Sequence, residues 1–363
     1  MIFPSVIPHR YQSRSGCCPH PTQSLSASCA EVEVLSPLGA VTRPLKGKNF
    51  LTLTELTPGD LISILKLAER LKLRQASGLG SAALEGKSVA LIFEKPSTRT
   101  RVSFQVAINQ LGGYAISLGA GELQLGRGET VEDTAKVLSG YVDCIMARVN
   151  SHSELVRLAA AASVPVINGL SDLHHPVQIL ADLLTLQEHK GRLKDLRVAW
   201  VGDGDNVCNS WLYGAALSGI DFTAATPKEF RPLAEAVQAA ESLSRSTGAK
   251  IKLVEDPKEA VRGADCVITD TFVSMGFDVQ RETRLNAFFP KYQVSHALMA
   301  LAKKDAVFEH SLPAHRGEEV TAEVIDGHHS IVFEEAKNRM HATKALLCFL
   351  MLGRKDLSVL SAG

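Results

Sequence analysis

An α/β fold of two doubly wound parallel-sheet domains joined by interdomain helices is predicted by three features of the 363-residue chain. Short apolar runs alternate with amphipathic segments of helical period, the pattern of parallel strands covered by helices on both faces. The alternation breaks near residues 175–190 and then restarts. The length suits two domains at the usual ~100–200 residues each. Residues 1–47 read as a leader, 48–183 and 184–333 as the two domains, and 334–363 as a C-terminal helix returning to the first.

The elements follow in order. Thr57-Pro58 opens a helix whose apolar positions Leu61, Ile64, Leu65, Ala68 and Leu71 recur at helical spacing, with Pro in the first turn. Ser88–Phe93 is a buried strand, and a helix from Thr98 to Leu111 ends at Gly112-Gly113. Strands at Ala115–Leu118, Cys144–Arg148 and Val164–Asn168 then alternate with helices at Thr130–Ser139 and Glu154–Ala162. After a linking helix, Val177–His189, the second series has strands at Arg197–Val201, Phe222–Ala225, Lys250–Val254, Cys266–Thr269 and Ala306–His310. Its helices are Asn209–Leu217 and Leu233–Ser246, and an apolar helix over Glu334–Leu352 closes the chain.

Composition narrows the function. The 39 basic and 39 acidic side chains balance, which removes the cationic footprint of a nucleic-acid binder. The longest apolar run, Ala345–Leu352, falls far short of the ~18–20 residues that span a bilayer, so no membrane partner is expected. Residues 1–30 hold no Asp or Glu, six Ser, four Pro and only Arg10 and Arg14 as strong bases. That leader fits an organelle transit peptide, more plastid-like than mitochondrial because Arg is sparse, with an ordinary disordered tail as the lesser alternative. The expected location is the plastid stroma, or the cytoplasm if the leader is no transit peptide. Cys17, Cys18 and Cys29 lie in it, whereas Cys144, Cys208, Cys266 and Cys348 are scattered in apolar surroundings and read as reduced core thiols. The adjacent pairs His174-His175 and His328-His329 are poorly placed to converge on one ion, so no metal is assigned.

Function is expected where loops leave the carboxyl ends of strands. After Phe93, the loop Glu94-Lys95-Pro96-Ser97-Thr98-Arg99-Thr100-Arg101 places hydroxyls and a guanidinium around a capped helix N-terminus, an anion site by construction, with Arg101 the less certain of the two arginines. At the linking helix, His175 and Gln178 stand three apart beside Pro176, and together offer a donor and a carboxamide to a carbonyl and an amide. Val201-Gly202-Asp203-Gly204-Asp205-Asn206-Val207 lacks the third glycine of a dinucleotide fingerprint, and its Asn206 suits a carboxylate or amine. Asp270 to Gly276 and His310 to Glu319 add polar residues after the last two strands.

These five segments, in this order, make the chain from about Asn49 to Leu352 resemble the aspartate/ornithine carbamoyltransferase family, on its ornithine-using branch. The resemblance implies that residues 48–183 bind carbamoyl phosphate and 184–333 bind L-ornithine. It implies that Ser97, Thr98, Arg99, Thr100, Gln124 and Arg148 hold the phosphate, and that His175 and Gln178 hold the carbamoyl oxygen and amide. Ser311, Leu312 and Arg339 would complete that pocket, and Asn206, Asp270, Ser274 and Met275 would grip ornithine, the last two on a closing loop. Arg148, His175, Asp270 and Ser311 would take the catalytic roles. No cofactor is implied, and the assembly would be a homotrimer with active sites at subunit boundaries.

The chain departs from the family pattern at Ser311, where the usual segment is His-Cys-Leu-Pro, at Phe272 for the usual Trp, and at Phe277-Asp278 for the common Gln-Glu. A serine hydroxyl stays neutral where a thiol can ionise. Weaker ornithine affinity or slower turnover is therefore expected, and a weakened carbamoyl phosphate-binding paralogue or an enzyme for another amine, such as putrescine, stands as the alternative.

Overall fold

A computed structural model describes residues 45–124, 128–274 and 278–362. The first sheet has the order β2-β1-β3-β4, with β1 Ser88–Phe93, β2 Tyr114–Gly119, β3 Cys144–Arg148 and β4 Val166–Leu170. The second has the order β7-β6-β5-β8-β9, with β5 Arg197–Val201, β6 Asp221–Ala225, β7 Ile251–Val254, β8 Cys266–Thr269 and β9 Val307–His310. Every pairing within both sheets is parallel, as the alternation predicted.

Thirteen α-helices cover the sheets among the described residues. The first sheet carries α1 Pro58–Ala76, α2 Thr98–Gln110, α3 Val131–Ser139 and α4 His152–Ala161; α5 Pro176–Lys190 leads to the second. There follow α6 Asn206–Ser218, α7 Ala234–Ser244, α8 Pro257–Val261, α9 Arg281–Phe288, α10 His296–Met299 and α11 Ala322–Ile325, then α12 Val332–Met351 and α13 Arg354–Ala362. One continuous apolar core runs from β1 and α1 through α5 and α12 to β5, β6 and α6. Two further cores fill the opposite faces, under β1, β3, α3 and α4 and under β5, β8, α8 and α9. Helix α12 packs on α1, α2, α5 and β9, so residues from both sheets converge on it.

Differences from the predicted elements have local causes. Strand β4 starts at Val166 rather than Val164, because Pro165 has no N–H to donate and offers only its carbonyl, to Ile145 N at 2.9 Å. Helix α6 starts at Asn206 because Asp205 caps it, accepting from Val207 N and Cys208 N at 2.9 Å each. His175 is the N-cap of α5, with φ −135° and ψ 62°, so it stands before the helix rather than on the face of Gln178. The short helices α8 to α11 were not foreseen; four- to eight-residue elements carry too few apolar repeats to stand out.

Gly204 shows what the glycines after β5 are for. A Cβ there would strike the main chain between Phe230 and Pro232, which crosses directly over it. Close backbone approach, not a nucleotide phosphate, requires the glycine. Gly204→Ala is expected to lower stability by about 1–3 kcal/mol; a urea midpoint equal to that of the parent protein would refute this account.

Candidate active site

The anion corner is built where β1 and β3 end side by side, Phe93 pairing with Arg148. Ser97 caps α2 by accepting from Thr100 N at 3.2 Å, which fixes the turn that carries Thr98, Arg99 and Thr100. Thr100 is buried and receives two guanidinium groups on one hydroxyl oxygen, Arg148 Nη1 at 3.4 Å and Arg339 Nη2 at 3.3 Å. Arg101 lies over the Phe93 ring at 4.7 Å, which engages its guanidinium there. Burial, followed by the neighbouring arginines, pushes Arg148 down to about 10 and Arg339 down to about 9. Burial also lowers Arg99, opposed by the charges of Asp270 and Glu335. Three guanidinium groups forced together in this way form a socket for a dianion.

His175 and Gln178 complete that wall. The His175 backbone N–H donates to Ser210 Oγ at 2.8 Å, and Asn206 and Asn209 donate to Ser171 O at 2.7 Å and Leu173 O at 3.3 Å. Helix α6 of the second sheet thus pins the loop that presents His175. Burial and then the charge of Arg339 hold the His175 imidazole neutral, far below its ordinary range. Arg339 Nη2 lies 3.0 Å from His175 Nε2, which assigns Nε2 as acceptor and leaves the proton on Nδ1. Gln178 Oε1 accepts from Arg339 Nη1. His174 faces elsewhere, against His152 and Tyr213, and burial takes it down to about 4.

The opposite wall is acidic. Asp270, at the end of β8, accepts from Thr271 N at 2.8 Å and from Ser311 Oγ at 3.0 Å. Burial raises its carboxyl while His310, 4.0 Å away, opposes the rise. His310 Nδ1 accepts from Leu312 N at 2.9 Å, so the ring proton sits on Nε2, 3.3 Å from buried Glu319 Oε1. Leu312 makes that bond from the left-handed region, φ 55°. Phe272 stacks on Phe288 at 4.8 Å, and Arg284 pairs with Asp203 and donates to Phe272 O at 3.2 Å, anchoring the start of the loop that bears Ser274. Ser274 Oγ lies 3.4 Å from Thr271 Oγ1.

Thr100, Arg148, His175, Gln178 and Arg339 therefore meet at one point, and Asp270 meets Ser311 on the facing wall. Gln124 does not join them: it stands exposed beyond β2, where its described bond is a backbone one from Glu129. Thr98 is exposed at the pocket rim, and Met275 lies outside the described residues. Sequence reasoning missed Asp182 and Glu335, which hold Gln178, and Glu309, fully buried on β9. An acid inside the apolar run Ile179-Leu180-Ala181-Asp182-Leu183-Leu184 was the available signal. Among the described residues, His315, Glu318 and Glu319 are the group spaced to accommodate a cation, but Arg281 already holds Glu318, and Glu319 accepts from His315 N.

Family models match both halves of this architecture: the aspartate/ornithine carbamoyltransferase carbamoyl-P binding domain over residues 48–188 and the Asp/Orn binding domain over 194–350. Ornithine carbamoyltransferase of Archaeoglobus fulgidus is 53% identical over 304 residues, 84% of this chain and 97% of its own. The Bacillus subtilis enzyme of that name is 51% identical over 303 residues, 84% of this chain and 93% of its own. The structure of ornithine carbamoyltransferase from Pyrococcus furiosus superimposes with a TM-score of 0.83 at 47% identity, covering 85% of this chain and 98% of that one. Likeness on this scale spans both sheets and the cleft between a cationic and an acidic wall, and the chain belongs to the aspartate/ornithine carbamoyltransferase family.

Proposed function

We propose that the protein transfers the carbamoyl group of carbamoyl phosphate to the δ-amine of L-ornithine, giving L-citrulline and phosphate. The carrying observation is the convergence of Arg148, Arg339 and neutral His175 on Thr100, facing Asp270 and Ser311. The guanidinium groups suit a phosphate dianion, and Asp270 suits the ammonium of an amino acid. In the step itself the uncharged δ-amine forms a bond to the carbamoyl carbon. The negative charge that develops on its oxygen meets the Thr100 hydroxyl and Arg148, beside the neutral His175 ring. The carbon–oxygen bond to phosphate then breaks and the proton lost by the amine balances the departing phosphate. Positioning and fixed charge supply the rate. Ser311 donates to Asp270 as a neutral hydroxyl and so orients the carboxylate without offering a base.

Purified protein given carbamoyl phosphate and ornithine is expected to yield equimolar citrulline and phosphate, and little product with putrescine. Ser311→Cys is expected to raise kcat/KM for ornithine about tenfold, ~1.4 kcal/mol in the barrier. Phosphate-ligand binding without product from either amine would overturn the transferase reading in favour of a binding paralogue.

The three mutually repelling guanidinium groups carry a separate expectation. Arg339→Met should abolish most of the thermal stabilisation given by saturating inorganic phosphate, which for the parent at 100 Kd amounts to about 2.7 kcal/mol. The ligand-free variant should itself lose about 1–3 kcal/mol, because buried Gln178 Oε1 is left without its donor. Undiminished stabilisation of the variant by phosphate would contradict this.

A homotrimer is proposed alongside. Edge strand β2 begins at exposed Tyr114, and Val102 of α2, Val137 of α3 and Tyr141 beyond it are also exposed. Gln124, standing outside its own pocket, is available to a neighbouring subunit's. The acid-free leader is proposed to direct import into plastids. Expression of the full chain with a C-terminal fluorescent tag in leaf cells, followed by mass measurement of the purified product, is expected to show chloroplast fluorescence and three copies per particle. Cytosolic fluorescence would refute the targeting, and a monomer the assembly.

A further inference from the structure

Gln178 is buried at 2% exposure, and all three of its side-chain polar valences toward the protein are spoken for. Its Nε2 donates to Asp182 Oδ1 at 2.7 Å and to Glu335 Oε1 at 2.7 Å, which uses both N–H hydrogens. Its Oε1 accepts from Arg339 Nη1. Turning the amide over would set its oxygen against two carboxyl groups and its NH₂ against a guanidinium. Each buried polar group left unpaired in that way costs about 1–3 kcal/mol. The two acids are themselves fixed. Trp211 Nε1 donates to Asp182 Oδ2 at 2.9 Å, and His310 N donates to Glu335 Oε2 at 3.0 Å. The clamp therefore reaches Gln178 from α5, α6, α12 and β9. Burial raises both carboxyls, Asp182 to about 7 and Glu335 well above its ordinary value.

A carboxamide oxygen has two lone pairs, and Arg339 takes one. The other can meet the N–H of a carbamoyl group but nothing on a methyl. Resting on the proposed reaction, we propose that Asp182 and Glu335 are positioning residues that lock the Gln178 amide oxygen toward the substrate and so set the preference for carbamoyl phosphate over an acyl phosphate. Neither acid touches the substrate. Their effect passes through one amide whose two ends differ only in which is donor and which acceptor. Glu309 is buried near them with neither carboxyl oxygen bonded among the described residues, and burial followed by the charge of Asp182 raises its carboxyl well above its ordinary value.

The test measures Kd for carbamoyl phosphate, acetyl phosphate and inorganic phosphate on the full-length protein, in the parent, Glu335→Gln, Glu335→Met and Asp182→Asn. Glu335→Gln keeps one carbonyl acceptor but must turn its NH₂ toward Gln178 or the His310 N–H, and should lower the carbamoyl-to-acetyl ratio about threefold, whereas Glu335→Met should lower it about tenfold, with inorganic phosphate unchanged. Asp182→Asn must turn its own NH₂ toward Gln178 or Trp211 and should lower the ratio about threefold. It decides the question if Glu335→Met binds no phosphate because it fails to fold. An unchanged ratio in a variant that still binds inorganic phosphate would overturn the clamp. A parent protein that treats carbamoyl and acetyl phosphate alike would instead overturn the carbamoyl-transfer reading, and the two failures are distinct.

Discussion

A single guanidinium group, that of Arg339, is the constraint on which the site depends. It is 4% exposed and reaches Thr100 from the first sheet's anion loop, His175 at the cap of α5 and Gln178 one turn further on. It can do so because α12 lies against α1, α2 and α5. A charge held that far from water is costly unless matched. The match is uneven: Asp182 and Glu335 draw Arg339 one way while Arg148 and Arg99 repel it from the other. The arrangement leaves a net cationic pocket whose missing balance is the charge of a phosphate.

The cleft is polarised along its length by strand topology. Parallel strands bring all carboxyl ends of a sheet to one edge, so β1 and β3 deliver Thr100 and Arg148 together and β8 and β9 deliver Asp270 and Ser311 together. The first sheet presents cations and the second presents acids. Such a cleft favours an acyl phosphate at the cationic wall and the ammonium group of an amino acid at the acidic one. The loops are braced across it by Asn206, Asn209 and Ser210, which tie the segment before His175 to α6.

The parts of this site legible in the sequence are those whose chemistry is local. Ser97 as a cap, the crowding of Thr98, Arg99 and Thr100 in one turn, and the His175-Pro176 junction all act within a few residues of where they stand. The strands were legible for the same reason, since β1 and β5 are uninterrupted apolar runs. Glu309 and Glu335 were not, because an acid on a helix or strand ordinarily reads as a solvent-facing position, and for Asp182 the surrounding apolar run was the one signal that it faces inward. What engages Arg101 was visible only once the Phe93 ring was placed. Gln124 carried a family match that its own fold does not bring to the pocket: it stands exposed beyond β2.

The four cysteines of the described chain are all buried, and burial lifts each thiol above its ordinary value, Cys348 to about 12. Oxidation and alkylation need an accessible thiolate. With Ser311 where the family's usual segment carries cysteine, the pocket itself presents a hydroxyl. The described body of the protein thus offers peroxide or a thiol-directed electrophile no accessible thiolate.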